Sequence, residues 1–214
     1  MIESIVNYIQ LATSLFCTVI SVYMALTKHK NVWIILAFAS GVFFLGDAYW
    51  ELYLTFYGVT PQYSYISYFS WNAAFVFFLL LVLELRGEGH TRVKHKWLIA
   101  AVTAFTVGMC IFYMQFGDWL GNIATVLFMS PLIWQPLDAL LTVHEKKRKD
   151  PGTDDRRCGL YRTVLLFCMA EYCMWTVSCF WTGHPDLNPY YWFDTLLSFT
   201  FVLLPFALRK AVDK

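Results

Sequence analysis

Charge is the first scarcity: only 14% of the 214 residues are Asp, Glu, Lys or Arg, where a soluble domain carries about a quarter. Beside 58% hydrophobic and 19% aromatic residues, that shortage excludes an ordinary water-soluble fold. A net charge of +1, with no basic segment alternating with aromatics, excludes a nucleic-acid surface. Met1-Ile2-Glu3 lacks the basic start of a cleavable signal peptide, and none is expected. Catalytic signatures are missing too: there is no His-Glu-x-x-His, Gly-x-Ser-x-Gly, phosphate loop or Cys-x-x-Cys. With no extramembrane domain to carry such chemistry, enzyme activity is not the first expectation. Of the six cysteines, five fall in apolar runs and Cys158 in a basic loop, so they read as small core residues, not a disulfide framework. Cys168, Glu171, Cys173 and Cys179 could offer soft ligands, but no histidine lies within a span, and no metal is expected.

What is present is length of hydrophobic run. Seven apolar segments, at about 5–26, 32–57, 65–85, 97–116, 119–143, 160–181 and 190–208, are each long enough to cross a bilayer. The fold class expected is therefore all-α integral membrane, a single transmembrane domain over 1–214. The breaks alternate in character. Lys28 to Lys30, Arg86 to Lys96, Lys146 to Arg157 and Arg209 to Lys214 are basic. Gly58 to Gln62, Gly117-Asp118 and Gly183 to Asp186 hold no Lys or Arg. With Arg162 at the very start of the sixth span, all sixteen basic residues fall on one side of a seven-span chain, which places the N-terminus outside and the C-terminus in the cytoplasm, as in a plasma-membrane protein. The basic loop 145–158, with Asp150-Pro151-Gly152 in its middle, is the one segment polar enough to be flexible.

The chain is organised around Asp47 and Glu51, four residues apart on one face of the second span. A carboxylate in hydrocarbon costs roughly 2.5–3.5 kcal/mol on insertion scales and marks a functional site by default. At 1.5 Å per residue, Asp47 and Glu171 lie roughly 15 Å from the outer helix ends, Glu51 and Asn72 roughly 10 Å, and Asp194 nearer 6 Å. No Lys, Arg or His accompanies them in the outer half. The carboxyls are then protonated, or face water, or await a cationic ligand. Tyr49, Trp50, Trp71 and Trp175 offer ring faces worth about 0.5–2 kcal/mol each to a cation. The ligand-binding set read from the sequence is these four aromatics with Asp47, Glu51, Asn72, Glu171 and Asp194. Pro131 and Pro136 in the fifth span imply a kink, so they are read as a hinge, with Asp138 as an inner-gate acid.

Spans one to three weakly echo spans five to seven. Asp47 with Trp50 finds Glu171 with Trp175, and Tyr68-Phe69-Ser70-Trp71-Asn72 finds Tyr190-Tyr191-Trp192-Phe193-Asp194. The intervals Asp47 to Asn72 and Glu171 to Asp194 are 25 and 23 residues. In architecture this 3+1+3 arrangement resembles the SWEET and PQ-loop transporters, whose substrate site lies between two parallel repeats. The seven-span topology also resembles microbial rhodopsins. Asp194-x-x-x-Ser198 has Ser where their lysine stands, and no lysine lies inside any span, so covalent retinal is excluded and no cofactor is expected. Gly183-His184-Pro185, Tyr191-Trp192-Phe193 and Leu204-Pro205 are locally similar to the last helix of sterol isomerases of the emopamil-binding type.

Three functions fit these residues. The first is binding and transport of a small polar or cationic solute through an acidic, aromatic-lined cavity in the outer half. The second is a seven-helix sensor with a cytoplasmic signalling partner. The third is an intramembrane isomerase-type enzyme that stabilises a cationic intermediate. The expected partners are the lipid bilayer and a small-molecule or ionic ligand, with a homo-oligomer left open.

Overall fold

The structure, a computed structural model, describes residues 2–59, 65–87, 94–117, 119–181, 183 and 188–213. Thr60 to Tyr63, Asp118 and His184 to Asp186 in the breaks without Lys or Arg, and Arg92 in the second basic break, lie outside them. The described residues form seven helices: α1 Ile2–Lys28, α2 Asn31–Tyr57, α3 Tyr65–Arg86, α4 Lys96–Met114, α5 Trp119–Lys149, α6 Cys158–Phe180 and α7 Tyr190–Val212. All seven are long and apolar enough to cross a membrane, and the chain is an all-α, multi-pass membrane protein. Helices are the natural choice there, because lipid offers no partner for a backbone group left unpaired.

Left-handed glycines end two of the helices. Gly58 (φ 67°) returns its N–H to the Leu54 carbonyl at 2.8 Å and ends α2. Gly87 (φ 73°) does the same after α3, toward Leu83. A residue with a Cβ would pay strain in either place. α5 runs past the expected Val143 to Lys149, so the loop read as 145–158 shortens to Asp150–Arg157. Its charges are also engaged: Lys147 pairs with Asp155 at 2.6 Å, and Arg156 binds Asp154 and the Asp213 carbonyl. The helix is continuous through both Pro131 and Pro136.

Six helices close a ring in the order α1, α2, α3, α5, α6, α7, and α4 packs outside it against α5. The centre of the ring is aromatic. Phe167 of α6 meets Phe43 of α2 at 5.9 Å, Phe75 and Phe78 of α3 at 5.9 and 4.9 Å, and Phe201 of α7 at 5.8 Å between ring centroids. All five rings are essentially inaccessible. This cluster divides the interior into a basic end and an opposite end.

Candidate functional site

One helical turn sets the depth of the site. Asp47 lies four residues from Phe43, Trp71 four from Phe75, and Glu171 four from Phe167. Residues at that spacing stack on one helix face, so three polar side chains stand directly over three rings of the central cluster. Above them, toward the end without basic residues, is a cavity of about 390 Å³. Asp47, Glu51 and Glu171 line it, among Trp50, Trp71 and Trp175. Phe43 closes its floor, and the exposed Glu3 and Ser178 stand at its rim. Among the described residues no Lys, Arg or His lines it. Six of the nine binding residues expected from the sequence meet here.

The acids are held differently. Trp71 donates its indole N–H to Asp47 Oδ1 at 2.8 Å, while Asp47 Oδ2 has no hydrogen-bond partner. Asn7 Nδ2 donates to Glu51 Oε2 at 2.9 Å, tying α1 to α2. Asp194 is 1% exposed and neither of its oxygens has a partner. A buried polar atom without a partner costs about 1–3 kcal/mol. Of these atoms, Asp47 Oδ2 belongs to a residue that lines the chamber.

Three expected residues do not line the chamber. Asn72 follows Trp71 around α3 and faces α5, where Thr125 Oγ1 reaches its Oδ1 at 3.5 Å. Its amide nitrogen donates to the Tyr68 carbonyl at 2.8 Å. Tyr49 packs along its own helix against Tyr53, ring centroids 6.1 Å apart. Asp194 lies one turn below Tyr190, and Tyr190 lines the chamber in its place. The sequence reading also missed Glu3, Asn7 and Gln10 of α1, which complete the wall. Their i, i+4, i+7 spacing, polar residues on one stripe of an otherwise apolar run, was the available signal.

Asp138 belongs to a separate network at the basic end. It is fully buried, and Arg86 Nη2 binds its Oδ2 at 2.6 Å. Arg86 Nη1 also donates to the carbonyl and side-chain oxygens of Gln135, each at 2.7 Å, just before Pro136. The backbone N–H groups of Lys94 and His95 donate to Asp138 Oδ1 at 3.1 and 2.9 Å. The His95 ring bridges Asp138 and Glu145, 2.9 Å from each, and Lys94 pairs with Glu145. Arg86, expected in a solvated basic break, is thus a buried residue of α3. Glu145 is the first cause, and Asp138 the second, of an imidazolium at His95 held above its ordinary range.

All six thiols are unpaired. Among the described residues no group of three or more His, Cys, Asp or Glu is arranged to hold a metal ion. Comparison of the chain with protein-family models, with curated proteins and with solved structures finds no match in any of the three.

Proposed function

We propose that the acid-and-ring chamber binds a small cationic or polar solute at the outer side of the membrane, and that the protein carries this solute across. One observation supports the reading above others: four carboxyl side chains, Glu3, Asp47, Glu51 and Glu171, border a 390 Å³ hollow that supplies aromatic faces and, among the described residues, no basic side chain. An ammonium group placed there gains carboxylate oxygens and cation–π contacts in a medium where both are strengthened. In this reading the N-terminus is outside and the C-terminus cytoplasmic, because the basic ends of all seven helices share one side, and the plasma membrane is the membrane proposed. In this scheme the phenylalanine cluster is the inner barrier. The Arg86–Asp138 network is the inner gate, with Pro131 and Pro136 flanking it as the hinge. The ring order α1, α2, α3, α5, α6, α7 is compatible with a parallel 3+1+3 repeat, which is part of this proposal.

A second reading is favoured by the closed floor of the chamber. Carboxyl groups held among rings above the buried Phe43 suit acid catalysis inside the membrane. A carboxylic acid would give its proton to the substrate, and the tryptophan faces would steady the cation that forms.

The test uses purified protein in lipid nanodiscs with benzyltrimethylammonium as probe. Saturable binding that is lost in Glu171→Gln and Asp47→Asn supports the chamber. Unchanged binding in both variants overturns it. Uptake of the same cation into proteoliposomes supports the carrier, and binding without uptake supports the second reading.

A further inference from the structure

A second hollow opens on the flank of the bundle and leads toward the same acids. Between α3 and α5 lies a groove of about 630 Å³ whose lining is almost wholly apolar. Phe69 and Leu120, 79% and 74% exposed, stand at its outer lips. Ala73, Gly121 and Ala124 keep it open, because small side chains on facing helices leave room that larger ones would fill. Behind it is an intermediate cavity of about 440 Å³. It shares Tyr68, Asn72 and Gly121 with the groove, and Tyr68, Trp71, Trp175 and Ser178 with the acidic chamber. Tyr68 borders all three hollows. The three are therefore neighbours in a row, from the lipid-facing flank to the carboxyls.

We propose that this row is a lateral entrance from the membrane, and that the chamber's ligand is an amphiphile with a long hydrocarbon chain and one polar, cationic or proton-accepting head. The proposal rests on the chamber reading above and specifies its ligand. The polarity gradient supports it: hydrocarbon at the lips, mixed character in the middle, acids at the end. A chain occupying the groove replaces lipid contacts with protein contacts of like polarity, while the head gains the chamber's carboxyls. The Asn72 side chain is the latch between groove and intermediate cavity, and its link to Thr125 is slack at 3.5 Å. A lipid-soluble ligand needs no opening to water at all.

The experiment compares two photoactivatable diazirine amines, one on a hexadecyl chain and one on a butyl chain, added to the protein in nanodiscs, with labelled peptides identified by mass. In the unaltered protein both probes are expected on the α2 segment around Asp47, and the long one also on α3 and α5 beside the groove. Replacing Ala73→Trp and Ala124→Trp together fills the groove without touching a chamber residue. The expected result is loss of α2 labelling by the hexadecyl probe with butyl labelling retained, which also shows that the variant is folded. Equal α2 labelling by the long probe in the filled variant overturns the lateral entrance and leaves the chamber standing. Absence of α2 labelling by either probe in the unaltered protein overturns both.

Discussion

Trp71 of α3 gives its indole N–H to Asp47 of α2 at 2.8 Å, and Gly46 makes the approach possible. A Cβ built on Gly46 would lie 3.0 Å from the Ser70 Cβ, 3.0 Å from the Trp71 Nε1 and 3.2 Å from its Cδ1. Ser67 closes the same contact by donating to the Gly46 carbonyl at 3.0 Å. Gly46→Ala must therefore part the two helices or turn the indole away. The expected cost is about 1–3 kcal/mol of stability, together with weakened binding of an organic ammonium probe. Thermal unfolding and probe titration in nanodiscs measure the two effects, and a variant with both unchanged contradicts the close packing.

Removing only the donor separates those consequences. Trp71→Phe keeps a ring over the chamber but leaves Asp47 without its hydrogen bond. An unmade bond to a buried group costs roughly 1–3 kcal/mol, so stability should fall by that order while the helices stay in contact. Calorimetry of the variant beside Gly46→Ala checks the difference.

The Arg86–Asp138 pair sets up a sharper comparison. Both groups are buried and 2.6 Å apart. Asp138→Leu alone takes the carboxylate from a buried guanidinium and should cost about 3–5 kcal/mol. Arg86→Met with Asp138→Leu removes both charges and should recover a large part of that loss. A double variant no more stable than the single one would show that Arg86 is satisfied without Asp138.

His95 makes the basic end sensitive to pH. It precedes α4, and its ring lies between Glu145 and Asp138, which hold its charged form above the ordinary value of 6.5. A raised folded value means the contribution is complete below pH 6.5 and is lost as pH rises through the folded value. The thermal midpoint should therefore decline as pH rises above 6.5 through the raised folded value, and His95→Gln should flatten that decline. An identical slope in the variant would assign the pH response to another group.

Phe167 is the centre of the barrier. It touches Phe43, Phe75, Phe78 and Phe201, so Phe167→Ala should cost about 3–5 kcal/mol. In proteoliposomes the same variant should raise leak of a small organic ammonium if the cluster is what seals the chamber from the basic end. Unfolding in mixed micelles and flux report on the two effects separately.

Much of the molecule was legible in one dimension. Seven apolar runs, with fifteen basic residues in alternate breaks and the sixteenth, Arg162, at the start of the sixth run, follow from bilayer thickness and from the cost of moving charge across it, and neither needs a tertiary contact. Asp47, Glu51 and Glu171 stood out for the same reason, since a carboxyl in hydrocarbon is visible wherever the chain goes afterwards. Which of the polar residues face one another was decided only by helix rotation within the ring. Rotation turned Asn72 toward α5, drew Asn7 of α1 into the wall, and set Tyr190 above Asp194. Arg86 could be read as a loop cation until α5 brought Asp138 and Gln135 against it. The chain's own hydropathy determines that a helix crosses. Its neighbours determine which stripe it turns inward, because in a bundle this apolar nearly every stripe could face lipid at similar cost.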